Sequence, residues 1–144
     1  MTIFIPGALM NPKNVSSMGV WKHRRYMKNW RERTAQYLLK ASLAFPSRRW
    51  PWPPEAPKTV TFTAHTAQEW DDDGLAFSLV SVRDALKDMQ LIDDDAPRAG
   101  HTFVYRQVID RKHRGVEIAV VPSPTFGGQP ISWSTLKRIS KDGP

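Results

Sequence analysis

Two runs of three aspartates, Asp71–Asp73 and Asp93–Asp95, stand at the two ends of one apolar stretch and constrain what folds between them. We call them the first and second triplets. Nine of the 14 acidic residues lie between Glu69 and Asp95, although the whole chain carries a net charge of +7. Neighbouring like charges repel by roughly 1 kcal/mol at 4 Å even in water. The crowding therefore predicts a cation at the triplets, most simply a divalent metal ion.

The stretch between the triplets has the pattern of one largely buried helix over residues 75–89. Its apolar side chains recur at helical spacing on nearly every side, at Leu75, Phe77, Leu79, Val80, Val82, Leu86 and Met89. Asp72 or Asp73 is placed to cap the N-terminus, where the helix dipole also favours negative charge. Capping with solvated neighbours is thus the alternative to metal binding for the first triplet, but it does not explain the second.

Periodicity elsewhere in the chain predicts the other elements. We expect strands over 2–5 and 58–70, a helix over 21–43, an antiparallel hairpin from strands 102–109 and 116–121, and a short helix over 133–139. Residues 45–57 hold five of the 12 prolines and predict a stiff extended linker. The order β-α-β-α-β-β predicts one domain of the α/β (α+β) class, with a small mixed sheet and two main helices.

The first predicted helix carries a face of nearly uniform positive charge, whereas a solvated face normally mixes signs. We interpret this face as a contact for nucleic-acid phosphates, made by Lys22, Arg24, Arg25, Lys28 and Arg31, together with Lys13 in the preceding loop. A plain solvated surface is the alternative. Trp21, Tyr26 and Trp30 lie among these cations and either stack on unpaired bases or belong to the core.

The first candidate metal ligands are Asp71 and Asp73, which are separated by one residue. If the second strand continues through them, their carboxylates point to the same side and reach one ion. Mg²⁺, with Mn²⁺ as an alternative, is usually held by one or two carboxylates, waters and substrate phosphates. The second triplet reaches this site only if the chain folds back along the helix or if another subunit supplies it, and the sequence leaves both routes open.

Several classes of protein are disfavoured by what the sequence lacks. The chain has no cysteine, no Gly-rich phosphate loop and no histidine pair with metal-binding spacing, and no serine stands in a nucleophile-elbow context. No stretch has the length of a membrane span or the form of a signal peptide. We therefore expect a cytoplasmic protein with no membrane partner and no organic cofactor.

The acidic segment resembles the RusA-like Holliday junction resolvases of phages and prophages. The likeness rests on Asp71-x-Asp73-Gly74-Leu75, on the helix ending Arg83-Asp84-Ala85-Leu86-Lys87, and on Leu91-Ile92-Asp93-Asp94-Asp95 followed by two strands. It covers residues 1–121 as a nuclease domain and leaves 122–144 as a C-terminal extension. It implies a Mg²⁺-dependent homodimer that nicks four-way DNA junctions in a bacterial cell or a phage-infected host.

By this resemblance the catalytic metal ligands are Asp71, Asp73 and Asp95, with Asp94 as the next candidate. Two positions depart from the family pattern. Gly74 stands where the family commonly has asparagine, and no lysine lies between Gly74 and Arg83, where the family has a functional one. Arg83, Lys87 or a cation of the first helix is the expected substitute. A non-catalytic DNA-binding protein on the same scaffold is the alternative function, and an RNA-binding basic domain is a third.

Overall fold

A computed structural model describes residues 1–10, 19–123, 125–126 and 129–130 of the chain. Its elements are β1 (Thr2–Pro6), α1 (Val20–Leu43), β2 (Lys58–Thr66), α2 (Asp72–Ser78), α3 (Val80–Asp88), a 3₁₀ turn (Pro97–Ala99), β3 (Thr102–Ile109), β4 (Gly115–Pro122), β5 (Thr125–Phe126) and β6 (Gln129–Pro130). The predicted α+β class with a small mixed sheet is confirmed. The predicted helix over 133–139 and the loop residue Lys13 lie outside the described residues.

The main sheet has four strands in the order β1-β4-β2-β3, and β5 pairs with β6 separately. β2 runs parallel to β3 and antiparallel to β4. The predicted hairpin of β3 with β4 is therefore wrong, because β2 lies between them. Val60, Phe62 and Ala64 of β2 are fully buried, and a central strand satisfies its backbone groups on both edges while burying such side chains.

The predicted helix over 75–89 is two helices, α2 and α3, which meet at Leu79 with φ −104° and ψ 7°. The Ser78 hydroxyl donates to the Leu75 carbonyl at 2.8 Å, and the Leu79 N–H donates to the Ala76 carbonyl at 3.2 Å. Such bonds tighten and end a helical turn, which explains the break. The predicted apolar stripe is confirmed, since Leu75, Leu79, Val82 and Leu86 are all buried in the core.

The strand predicted over 58–70 ends at Thr66. The Thr66 hydroxyl donates to the Gln68 carbonyl at 2.8 Å, which turns the chain away from the sheet. The first triplet consequently begins a helix and does not continue a strand. The same-side geometry expected for Asp71 and Asp73 from strand spacing is therefore wrong.

Residues 45–57, which we call the Pro-rich segment, form turns where the sequence predicted an extended linker. Backbone bonds from Arg48 to Phe45 and from Ala56 to Pro53 close two of these turns. The Lys58 side chain is fully buried beneath the segment. Its ammonium donates to the carbonyls of Pro53, Pro54 and Ala56 at 2.8, 3.3 and 2.8 Å. A single lysine therefore holds the segment against the sheet.

None of the helices in the described part of the chain combines the length and the apolar character needed to cross a bilayer.

Candidate nucleic-acid interface and acidic site

The first triplet is positioned by one glutamine on the neighbouring edge strand. The Trp70 N–H donates to Gln107 Oε1 at 2.9 Å, and Gln107 Nε2 donates to the Trp70 carbonyl at 2.5 Å. Gln107 on β3 thus holds both backbone groups of the residue that precedes Asp71. Asp71 then caps α2, with its Oδ1 accepting the Gly74 N–H at 2.7 Å. The triplet caps a helix as predicted, but the predicted capping residue is wrong, because Asp71 is the cap and Asp72 and Asp73 lie in the first turn.

All three carboxylates of the first triplet are exposed, with Asp72 and Asp73 in the first turn of α2. Within the described residues, none of the three has an ion-pair partner. The cap uses one oxygen of Asp71 and leaves its other oxygen and both neighbouring carboxylates without a protein cation. The repulsion that the sequence indicates is therefore left uncompensated by the part of the chain described.

Each carboxylate of the second triplet has a side-chain partner, which is a histidine donor for Asp93 and a cation for Asp94 and Asp95. Asp93 Oδ1 lies 2.7 Å from His101 Nε2, and Asp94 Oδ2 lies 3.6 Å from Arg98 Nη2. Asp95 lies 3.2 Å from Lys87 Nζ and 3.1 Å from Arg83 Nε. The two triplets, which look alike in sequence, therefore have opposite electrostatic environments.

The pKa values of Asp93 and Asp95 reflect these partners. The hydrogen bond from His101 holds the pKa of Asp93 below its ordinary value. Partial burial alone would raise the pKa of Asp95, but the Lys87 hydrogen bond and the Lys87 and Arg83 charges outweigh it and lower that pKa. Both carboxylates are thus stabilised in the ionised form by the protein itself.

His101 links the second triplet to the central strand. Its side chain is fully buried, and its Nδ1 accepts the backbone N–H of Lys58 at 3.2 Å. This bond leaves Nε2 as the nitrogen that carries the proton and donates to Asp93. Asp93 also donates its own N–H to the Pro54 carbonyl at 3.1 Å. The start of the second triplet is therefore part of a rigid packing arrangement.

The two triplets do not assemble into one cluster within the subunit. Across residues 1–10, 19–123, 125–126 and 129–130, no three His, Asp or Glu side chains are close enough together to hold a metal ion. Asp71, Asp73 and Asp95, the ligand set implied by the resemblance, are therefore not brought together by one chain. Of the two routes that the sequence leaves open, the fold-back within one subunit is not seen among the described residues.

The cations of α1 divide into a free group and a paired group. Lys22, Arg24 and Arg25 are exposed, and none has an ion-pair partner among the residues described. Trp21 is 80% exposed, with the Arg24 guanidinium 5.8 Å from its ring centre. This end of α1 presents three cations and an aromatic ring to solvent, as a phosphate-binding surface requires.

The same end of α1 lies against the helix that carries the first triplet. The His23 ring stacks on Phe77 of α2 with ring centres 6.1 Å apart, and Ser81 of α3 donates to the Met27 sulfur at 3.4 Å. The open carboxylates and the free cations therefore belong to adjacent elements.

Arg31 and Lys28, also predicted to bind phosphates, have acidic partners. Arg31 forms a two-pronged contact with Asp88 of α3, at 2.5 and 2.7 Å, and Lys28 lies 3.8 Å from Glu32. Among the aromatic side chains, Trp30 is only 3% exposed and belongs to the core, whereas Trp21 is free. The charge pattern of the helix alone could not reveal the Asp88 partner, because it is 57 residues away in the chain.

The Arg31–Asp88 pair predicts a small pH-dependent contribution to stability. The Arg31 hydrogen bond holds the pKa of Asp88 below its ordinary value. A carboxyl with a lowered folded-state pKa stabilises the fold above its unfolded pKa of about 3.9 and loses that contribution as the pH falls further. Both side chains are more than a third exposed, so we expect Asp88→Asn to lower the unfolding free energy by about 0.5–1 kcal/mol at pH 7.

Urea denaturation of wild type and Asp88→Asn at pH 7 and pH 3 measures this contribution. The difference between the two proteins should shrink at the lower pH. Glu55→Gln is the matched control, since Glu55 is exposed and has no ion pair in the described part of the chain. A difference between wild type and Asp88→Asn that grows on acidification would contradict the interpretation.

No protein-family model matches the chain, and no curated protein matches it. The likeness to RusA-like resolvases therefore remains a prediction from the residues quoted above.

Proposed function

We propose that this protein is a Mg²⁺-dependent endonuclease that nicks branched DNA as a homodimer, in the manner of the RusA-like resolvases that its acidic segment resembles. The observation that carries the proposal is the contrast between the triplets. Asp94 and Asp95 of the second triplet have cations from the protein and Asp93 has a histidine donor, whereas the first triplet is exposed and has no cation from the described residues. In a chain of net charge +7, three adjacent exposed carboxylates without a cation among the described residues favour a role for an added cation.

The residues present fit a magnesium ion. Asp73 and the Asp71 oxygen not used in the cap are exposed hard donors, and Mg²⁺ typically takes one or two carboxylates and completes its shell with water and phosphate oxygens. When bound, the ion would activate a water molecule and offset charge on the phosphodiester. Asp71 and Asp73 would hold it, and Gln107 would position them through the backbone of Trp70.

The free cations of α1 supply the substrate contact in this proposal. Lys22, Arg24 and Arg25 would bind backbone phosphates next to α2, to which α1 is joined by the His23–Phe77 stack. The lysine that the family carries has no counterpart in α2. Arg83 and Lys87 both contact Asp95, so a cation of α1 is the better substitute.

A two-fold dimer would present two such sites to the two symmetric strands of a four-way junction. In that arrangement Asp94 and Asp95 of one subunit could approach the first triplet of the other. Asp95 would then exchange its contacts with Arg83 and Lys87 for the metal.

The proposal is tested by cleavage of a synthetic four-way junction beside a linear duplex of the same sequence, with Mg²⁺, with Mn²⁺ and with EDTA. Paired nicks in the junction alone, lost in EDTA, are the expected result. Cleavage that persists in EDTA would refute metal dependence, and equal cleavage of the linear duplex would refute structure selectivity.

A second candidate, a non-catalytic DNA-binding protein, is favoured by the structural roles of two predicted ligands. Asp71 caps α2, and Asp95 is neutralised by Arg83 and Lys87. Under this alternative the α1 surface binds DNA and the triplets stabilise helix and loop. Tight junction binding without nicking under either ion would favour it over the endonuclease.

A further inference from the structure

A groove of about 530 Å³ lies where the Pro-rich segment meets the C-terminal ends of α1 and α3. Its walls include Arg48, Arg49, Trp50, Trp52, Met89 and Gln90. The volume is within the roughly 300–1,000 Å³ that small-ligand sites occupy. None of these residues belongs to the triplets or to the free cations of α1.

The groove is preformed by contacts made behind it. Trp50 Nε1 donates to the Met89 carbonyl at 3.0 Å, which joins one wall to the end of α3. Phe45 packs edge-on against Trp50 and Trp52, with ring centres 5.9 Å away in each case. The buried Lys58 ammonium holds the remaining turns of the segment. A site built this way needs little ordering when a ligand binds.

Backbone conformation marks the same groove. Among the described residues, Arg48 and Gln90 are the two non-glycine residues with positive φ, at 55° and 56°. Both line the groove, Arg48 from the Pro-rich segment and Gln90 from the residues that follow α3. At Gln90 this conformation ends α3, with the Gln90 N–H donating to the Lys87 carbonyl at 3.0 Å, and at Arg48 it is an uncommon conformation in a turn of the groove wall.

The chemistry of the walls selects a flat anionic ligand. Arg48 and Arg49 are exposed, have no ion-pair partner within the described residues, and face no acidic side chain across the groove. Trp50 and Trp52 offer partly exposed ring surface beside them. Arginine binds phosphate and indole stacks on planar rings, so the pair of features suits a nucleotide.

We infer that this groove binds an unpaired nucleotide of single-stranded DNA, with the base against Trp52 and the flanking phosphates on Arg48 and Arg49. The choice of DNA rests on the proposed function, since a branch point supplies unpaired nucleotides. The groove would thus add a contact to single strands that is separate from Trp21 and the cations of α1.

Binding of the full-length protein to a fluorescein-labelled oligothymidine and to a hairpin duplex with the same number of phosphates tests the inference by anisotropy. Arg48→Asn with Arg49→Gln removes both charges while asparagine tolerates the left-handed conformation. We expect this variant to bind the single strand about tenfold more weakly and the duplex within about twofold of wild type. The matched control is Arg111→Gln with Lys112→Gln, on the exposed turn between β3 and β4.

Trp52→Leu provides a second test that leaves all charges in place. It should also weaken single-strand binding about tenfold, since base stacking on an aromatic side chain is worth about 1–3 kcal/mol. Urea midpoints show whether each variant is folded, and the arginine variant decides the question if Trp52→Leu is not. Trp50 is kept because its indole bonds Met89.

Three outcomes would overturn the inference: unchanged single-strand affinity in the arginine variant, equal loss in the control pair, or equal loss for the duplex. None of them depends on nicking. A wild-type protein that binds oligothymidine through the groove but never nicks a junction would refute the proposed function and leave this inference standing.

Discussion

Replacing Asp73 by asparagine is expected to abolish metal-dependent nicking while leaving junction binding intact or tighter. Asp73 is exposed in the first turn of α2 and has no protein cation within the described residues, so its removal breaks no observed ion pair. The rate of nicking should fall by more than about 100-fold, because even outer-shell partners of metal ligands typically contribute about 10- to 100-fold. Affinity should hold or rise, since a negative charge facing phosphate is lost.

Single-turnover nicking and gel-shift titration of the same junction separate the two effects. Glu69→Gln is the matched control, since Glu69 is exposed two residues before the triplet and lies outside the predicted ligand set. It should nick at close to the wild-type rate. Parallel loss of binding and nicking in Asp73→Asn, or loss of nicking in Glu69→Gln as well, would argue against a metal site at the first triplet.

Replacing Lys58 by methionine is expected to lower the unfolding free energy by about 3 kcal/mol. Methionine keeps most of the buried stem but removes the charged donor to three part-buried carbonyls, and a hydrogen bond to a charged group contributes about 1.5–3 kcal/mol. Relief of the buried charge offsets part of this cost, since burial also lowers the Lys58 pKa.

Urea denaturation measures this effect, with Lys112→Met on the exposed β3–β4 turn as the control. The control should change stability by less than about 0.5 kcal/mol, as surface substitutions usually do. A loss below about 1 kcal/mol in Lys58→Met would mean that the ammonium does not hold the Pro-rich segment as described.

The elements whose signals are local were predictable from sequence. The alternation of Val60, Phe62 and Ala64 fixes the buried face of β2, and the stripe from Leu75 to Leu86 fixes the core side of α2 and α3. These patterns depend on side-chain period alone. They are enough to give the α+β class and most element positions.

Strand order and the packing of the Pro-rich segment were not predictable in the same way. The turn after Ile109 suits a hairpin, but β2 takes the place between β3 and β4. Proline counts indicate stiffness and say nothing of the Lys58 ammonium that folds the segment inward. Both outcomes depend on contacts between parts of the chain that are far apart in sequence.

The candidate site also has some features with local sequence signals and others that depend on distant contacts. A helix cap within the first triplet follows from its place before an apolar helical run, although the pattern favoured Asp72 or Asp73 and the cap is Asp71. The exposed basic end of α1 follows from its charge pattern. The neutralisation of Asp95 by Arg83 and Lys87, and of Arg31 by Asp88, depends on how α1, α3 and the second triplet pack. Sequence alone could not tell which of two similar triplets is open to a metal ion.

The most direct test is where a divalent ion binds. Sub-stoichiometric Mn²⁺ added to isotope-labelled protein, with the backbone amide signals followed by NMR, locates even a weak site by paramagnetic broadening. We predict broadening centred on residues 71–74 that Asp71→Asn with Asp73→Asn removes. Broadening centred on residues 93–95, or spread evenly over all exposed carboxylates, would contradict the claim that the first triplet is the metal site.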